Sequence, residues 1–144
     1  MKYKLVDNGQ INKTIIKVVG VGGCGGNAID HMVSNGVEGV ETISANTDSQ
    51  ALLKNKATEK IILGELNNHG QGAGGKPAVG RDTALDDYDR LTTMFEGANM
   101  VFIAAGMGGG TGTGAAPIVA RAAKEVGALA VAIVTKPMSL EFKD

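Results

Sequence analysis

The sequence predicts an α/β fold, a Rossmann-like doubly wound parallel sheet in three layers, and three observations carry that expectation. Short apolar runs alternate with amphipathic helical stretches along the chain. The runs are apolar at successive positions, as strands covered on both faces require. Sixteen of the 22 glycines fall in three clusters, at 20–26, 70–80 and 106–114, and two of these directly follow apolar runs. A disordered linker would instead scatter its glycines among serine and proline.

The elements follow in order. Residues 1–14 break up into charged and amide side chains, lack the apolar core of a secretion signal, and read as a flexible N-terminal segment. Residues 15–20 (IIKVVG) form a β-branched strand that feeds the first glycine turn. Beyond the turn, Ala28, Ile29, Met32 and Val33 recur at helical spacing, and Asn35-Gly36 supplies a left-handed stop. A second strand is expected at 40–45, after which Asn46-Thr47-Asp48 caps a short helix through Leu53. Residues 61–63 make a weaker third strand. From Val79 onward, Ala84, Leu85, Tyr88, Leu91 and Phe95 line one face of a single helix, with Arg81, Asp82, Asp86, Asp87 and Arg90 opposite. Residues 100–105 form a buried strand leading into the third glycine cluster. A helix follows on Ile118, Val119, Ala122, Ala123 and Val126, with Pro117 expected in its first turn, where no N–H is needed, and Gly127 closing it. Residues 129–134 are the last strand.

The 144 residues suit one domain with a real core. Fourteen basic against fifteen acidic side chains, a net charge of −1, leave no basic stripe, so nucleic acid is not an expected partner. A lone cysteine, Cys24, excludes an internal disulfide framework and a Cys-based zinc site, which suits a reducing compartment. His31 and His69 lack partners for metal binding or acid–base work. No charge lies between Glu96 and Arg121, a length that would span a membrane, but the glycines at its centre make a membrane helix untenable. Direct membrane insertion is not expected.

In a doubly wound sheet, ligands settle beyond the carboxyl ends of the strands where the strand order reverses. The first and third glycine clusters leave the first and fourth strands, so they face one crevice. Each opens a helix whose free N–H groups and dipole favour an anion, and glycine lets backbone amides approach phosphate oxygens. Two such loops converging on one place point to a polyphosphate. The Thr111 and Thr113 hydroxyls add phosphate donors or cap the helix, roles that coexist. Gly20-Val-Gly22-Gly-Cys-Gly25 also matches the dinucleotide fingerprint of an NAD(P)-binding oxidoreductase, with Glu41 or Asp48 as its ribose acid. Nothing in that fingerprint requires a second, threonine-bearing run. The stretch at 70–76 spells most of a P-loop, but Pro77 stands where the magnesium-binding hydroxyl belongs. It is either a third phosphate-facing loop or a plain connector.

Five segments in order, GVGGCGGNA at 20–28, NTDSQAL at 46–52, GQGAGGKPAVGR at 70–81, MVFIAAGMGGGTGTGAAP at 100–117 and VAIVTKPMSLE at 131–141, closely resemble the FtsZ branch of the tubulin/FtsZ family of GTPases. The resemblance runs from about Ile15 to Glu141, and Thr113, where tubulins usually carry serine, favours the bacterial branch. It implies a GTP-binding domain over 15–144 of a cytoplasmic protein that binds GTP or GDP with Mg2+. It also implies head-to-tail assembly into the mid-cell division ring, with hydrolysis at the subunit interface and membrane-tethering proteins as further partners. It assigns Gly22, Gly23, Cys24, Gly25, Gly26 and Asn27 to the first phosphate loop, and Gly106, Gly108, Gly109, Gly110, Thr111, Gly112, Thr113 and Gly114 to the loop on the terminal-phosphate side. Asn46 and Asp48 lie near the nucleotide, Ala73 and Gly74 sense the terminal phosphate, and Thr135 and Glu141 match the ribose side. The family's water-activating acids and guanine-binding aspartate correspond to positions beyond Asp144. Phe142-Lys143 replaces the glycine and arginine expected after Glu141. The resemblance therefore implies an incomplete domain with no catalytic residue of its own, or a non-catalytic module that joins or caps filaments. Cys24, where glycine is frequent, reads as a small, quiet filler.

Overall fold

The computed structural model describes residues 6–7, 10–11, 13–64, 76–106 and 110–135, with side chains described from residue 13 to residue 134 of these. Strand β1 (Val6–Asp7) pairs antiparallel with β2 (Gln10–Ile11). The rest follows as β3 (Ile16–Val21), α1 (Gly22–Ser34), β4 (Val40–Asn46), α2 (Ser49–Leu53), β5 (Glu59–Ile62), α3 (Pro77–Asp86), α4 (Tyr88–Phe95), β6 (Met100–Gly106), α5 (Gly110–Glu125) and β7 (Leu129–Thr135). Five strands form one parallel sheet in the order β5-β4-β3-β6-β7. The order turns back at β3, which lies between β4 and β6, as the doubly wound reading requires.

The sheet is the middle layer. On one face, Val19, Val21, Ile43, Ala45, Val101 and Ile103 pack with Leu91 and Phe95 of α4 and with Ala115, Val119, Ala122 and Ala123 of α5. On the other, Val18 meets Ile29 of α1 and Ala57, with Met32, Val33 and Phe102 at the margin. Each large side chain fully buried this way contributes on the order of 1.5–3 kcal/mol. Strand β4 divides its faces by chemistry. Ile43 and Ala45 enter the larger core, whereas Thr42, Ser44 and Asn46 form a buried polar row. Such a row has to find hydrogen bonds. Thr58 supplies some of them, donating its N–H to Thr42 Oγ1 at 3.0 Å and its hydroxyl to the Thr42 carbonyl at 2.9 Å.

Four expectations are corrected. The helix read as continuous from Val79 to Phe95 is two helices, because Asp87 leaves helical geometry (φ −104, ψ 19) and its carboxylate accepts the Gly64 N–H at 2.6 Å. Pro117 lies inside α5, not in its first turn, because the helix already begins at Gly110 within the glycine run. Helix α1 likewise begins at Gly22, inside its glycine cluster. The last strand is not covered on both faces: Leu129, Ile133 and Val134 of β7 are 58%, 50% and 51% exposed, so the described helices stop short of this edge. The left-handed stops are as read, with Gly36 at φ 75 and Gly127 at φ 89.

Helices α3 and α5 are held unusually close. A Cβ added to Gly114 would overlap the Pro77 carbonyl and lie 2.7 Å from the Arg81 nitrogen, and one added to Gly80 would lie 2.8 Å from the Thr111 Cα. Tyr88 ties α4 to the far end of α5, donating its hydroxyl to Glu125 Oε1 at 2.6 Å beneath the Arg121 guanidinium. That carboxylate partner holds the phenol above the ordinary tyrosine range.

Because the atoms facing Gly114 are backbone, a methyl there forces the two helices apart. Gly114→Ala is expected to lower unfolding free energy by at least about 1–3 kcal/mol in urea titration, despite alanine's better helix propensity.

Candidate functional site

The first and third glycine turns meet where the strand order reverses. Val21 and Ala105 are partners at the carboxyl ends of β3 and β6, and α1 starts at the very next residue, Gly22. Gly22 has φ +77, and a Cβ there would sit 2.8 Å from the Gly112 nitrogen and 3.6 Å from Thr111 Cβ. Only glycine meets both the left-handed backbone and the space. The amino ends of α1 and α5 are therefore in backbone contact.

The turn after β4 joins them. Asn46 accepts the Asp48 N–H on its side-chain oxygen at 3.2 Å. Asp48 in turn caps α2, its Oδ1 accepting from the N–H groups of Gln50 at 3.0 Å and Ala51 at 3.3 Å. Between them, fully buried Thr47 places Oγ1 2.6 Å from Thr111 Oγ1. Three turns from three neighbouring strands thus gather at one end of the sheet.

Among the described residues, no side chain caps α1, and neither α1 nor α5 has an acidic residue in its first turn. The positive ends of both helix dipoles are left without a counter-charge from those turns. Gly23 differs from its neighbours. It is exposed, and a Cβ added to it meets nothing within 4 Å. A glycine within a helix costs about 1 kcal/mol relative to alanine, and no neighbouring atom of the described residues requires it here. Gly25, by contrast, is buried against the Ala104 carbonyl, which leaves no room for a Cβ. The turn thus has glycines shaped by the protein's own packing, Gly22 and Gly25, and another, Gly23, open to an outside group.

A cavity of about 260 Å³ adjoins the turn between α1, the end of β4 and α2, lined in part by Gly23, Asn27, Asp30, Asn46 and Asn55. Asn55 holds its wall. It donates Nδ2–H to the Gly26 carbonyl at 2.9 Å and accepts the Ser44 hydroxyl at 2.5 Å and the Ala57 N–H at 2.9 Å. Asp30 is occupied by the Lys56 N–H at 2.7 Å. Neither Asn55 nor Thr47 was singled out by sequence reasoning. The signal for Asn55 was the polar alternation of β4, whose buried row needs partners. Thr47 was marked only by standing between two nominated residues.

The nominated residues separate into groups. Gly22, Thr111 and Gly112 meet directly, with Asn46 and Asp48 beside them. Gly110 and Gly114 are buried and face α3. Gly106 is buried at the end of β6, paired in register with Thr135 at the end of β7. Thr113 is half-buried. Asn27 and Cys24 are exposed, so Cys24 fills no gap in the core. Ala73, Gly74, Gly108, Gly109 and Glu141 lie outside the described residues. Glu41 ion-pairs with Lys17 at 3.3 Å near the amino end of β4. Five residues of strand put it about 17 Å from the carboxyl end, too far to serve as a ribose acid there. Among the described residues, no group of three or more His, Cys, Asp or Glu side chains gathers. No helix of the described residues is long and apolar enough to cross a membrane.

Residues 15–144 match the family described as Tubulin/FtsZ family, GTPase domain. The chain is 57% identical over 140 residues to the cell division protein FtsZ of Pseudomonas aeruginosa, covering 96% of this chain and 35% of that protein. It is 55% identical over 132 residues to the FtsZ of Buchnera aphidicola from Schizaphis graminum, covering 92% of this chain and 34% of the relative. It thus spans about a third of the length of these curated relatives. Among solved structures, an empty FtsZ dimer from M. jannaschii superposes with a TM-score of 0.86 at 45% identity, over 92% of this chain and 38% of that one. A GTPγS-bound protofilament of CetZ2 from Haloferax volcanii gives 0.73 at 25% identity, over 84% and 39%.

Asn55→Ala leaves the Gly26 carbonyl, the Ser44 hydroxyl and the Ala57 N–H without that partner. A loss of about 1–3 kcal/mol in unfolding free energy is expected, measured by chemical denaturation.

Proposed function

This chain belongs to the Tubulin/FtsZ family, and from that premise we propose that it is the GTP-binding part of a cell-division protein that assembles head to tail into a cytokinetic filament. The observation that supports this most is the meeting of two helix amino ends, that of α1 at Gly22, which no described side chain caps, and that of α5 at Gly112, beside a glycine whose open side meets no described protein neighbour. Helix amino ends of this kind favour phosphate, and two of them suit a chain of phosphates better than a single anion.

The phosphates lie, in this reading, along Gly22, Gly23, Cys24, Gly25, Gly26 and Asn27 on one side and the run from Gly108 to Gly114 on the other. Gly23 admits a phosphate oxygen where a methyl would stand. Asn46 and Asp48 approach from the β4 turn, and the family resemblance assigns Ala73 and Gly74 to sensing of the terminal phosphate and Thr135 and Glu141 to the ribose side. Mg2+ accompanies the nucleotide and offsets charge on its phosphates.

Binding and turnover separate in this reading. Asp30 and Asp48 already accept backbone N–H groups, so neither is poised as a general base for an attacking water. Hydrolysis belongs to the assembled interface, with the water-activating acids supplied by the neighbouring subunit. The filament acts in the cytoplasm at the mid-cell division site, held to the membrane by tethering proteins. The names of the curated relatives and the protofilament of CetZ2 from Haloferax volcanii support this assembly.

Titrating the purified protein with GTP, GDP and ATP by calorimetry tests the reading. Both guanine nucleotides are expected to bind tighter than ATP by at least about tenfold, about 1.4 kcal/mol. Equal affinities, or no binding, contradict it. Gly23→Ala is expected to leave the fold as stable or stabilise it by up to about 1 kcal/mol while weakening GTP binding.

A further inference from the structure

We propose that Thr47 is a positioning residue for the phosphate site, its hydroxyl fixing the first turn of α5 against the first turn of α1 through Thr111. The inference rests on the nucleotide reading above. Two helix amino ends can serve one phosphate chain only if their separation is held, and the Gly22–Gly112 contact sets only a lower limit on it. Steric contact keeps the turns from moving closer and does nothing to keep them from moving apart. The bond between Thr47 and Thr111 supplies an attraction, tying the α5 turn to the turn after β4, the strand that pairs with β3.

Several features suit it to that task. The two Oγ1 atoms are 2.6 Å apart across 64 residues of sequence, and both residues are buried, at 0% and 7% exposure. A hydroxyl pair shielded from water gains little from solvent when broken, so the bond is costly to lose. Thr47 is itself held from both sides. The Asn46 carbonyl accepts the Leu63 N–H at 2.8 Å, and Asp48 is fixed as the cap of α2. Thr111 is the second residue of α5, within the turn whose N–H groups have no partner inside the helix. Gly22 lies close by, since a Cβ on it would come within 3.6 Å of Thr111 Cβ. Displacing Thr111 therefore displaces the α5 amino end relative to α1, without Thr47 touching the nucleotide.

Three substitutions separate this role from packing. Thr47→Val keeps the volume and removes the hydroxyl, Thr47→Ser keeps the hydroxyl and removes the methyl, and Thr47→Ala removes both. GTP affinity of each is measured by calorimetry at a temperature where denaturation curves show the variants folded. Thr47→Val and Thr47→Ala are expected to weaken GTP binding roughly three- to tenfold, and Thr47→Ser to recover the affinity. If Thr47→Val does not fold, the Ala and Ser variants differ at the hydroxyl and still decide the question. Valine binding like wild type, or serine and alanine weakening binding alike, overturns the positioning role and leaves the nucleotide reading intact. A wild-type protein that binds no GTP overturns both.

Discussion

Two peptide segments share a space at the carboxyl end of the sheet in which no Cβ fits, and much of the site follows from that contact. Gly22 turns the chain out of β3 with a left-handed backbone, and the Gly112 nitrogen lies where its side chain would be. The sheet supplies the placement. With β3 paired to β6 in strict register, the loops that leave these strands begin side by side. Right-handed crossovers then put α1 and α5 on opposite faces of the sheet, so their amino ends approach only at the strand ends. The convergence is a product of topology, and glycine permits it.

The same logic extends outward through backbone contacts and buried polar groups. Helix α3 lies against α5 closely enough that Gly80 and Gly114 stand where a larger residue would separate them. The polar row of β4 is answered by Thr58 and Asn55, and Asn55 also bonds the Gly26 carbonyl of α1. Few of these contacts involve long flexible side chains. A site made of backbone amides and short hydroxyls loses little conformational entropy when a ligand orders it, which suits recognition of phosphate by geometry.

Much of this was legible in the sequence, for identifiable reasons. Apolar runs and helical stripes located the five sheet strands because packing against a core leaves a pattern that needs no tertiary information, although at β7 Leu129, Ile133 and Val134 remain exposed. Asp48 was read as a helix cap because capping is a local interaction, and its carboxylate does accept two helix N–H groups. Three features were not legible. The helices begin inside the glycine runs, where propensity argues against helix and packing prevails. That early start also moves Pro117 into the interior of α5. The break at Asp87 depends on Gly64, more than twenty residues away, so the stripe from Ala84 to Phe95 looked continuous. The bond between Thr47 and Thr111 joins turns that meet only in the folded chain. The first and third glycine clusters were read as phosphate loops and the second as a third such loop or a connector, whereas Gly25, Gly80 and Gly114 are required by the protein's own packing and Gly23 is open to a ligand.

The central claim is that both glycine turns serve one ligand. Backbone amide resonances of Gly22 to Gly26 and of Gly110 to Gly114, followed by NMR as GTP is added, test it most directly. The account predicts that both groups shift together, along one saturation curve with one dissociation constant. Shifts confined to one turn, or different dissociation constants for the two, would contradict it.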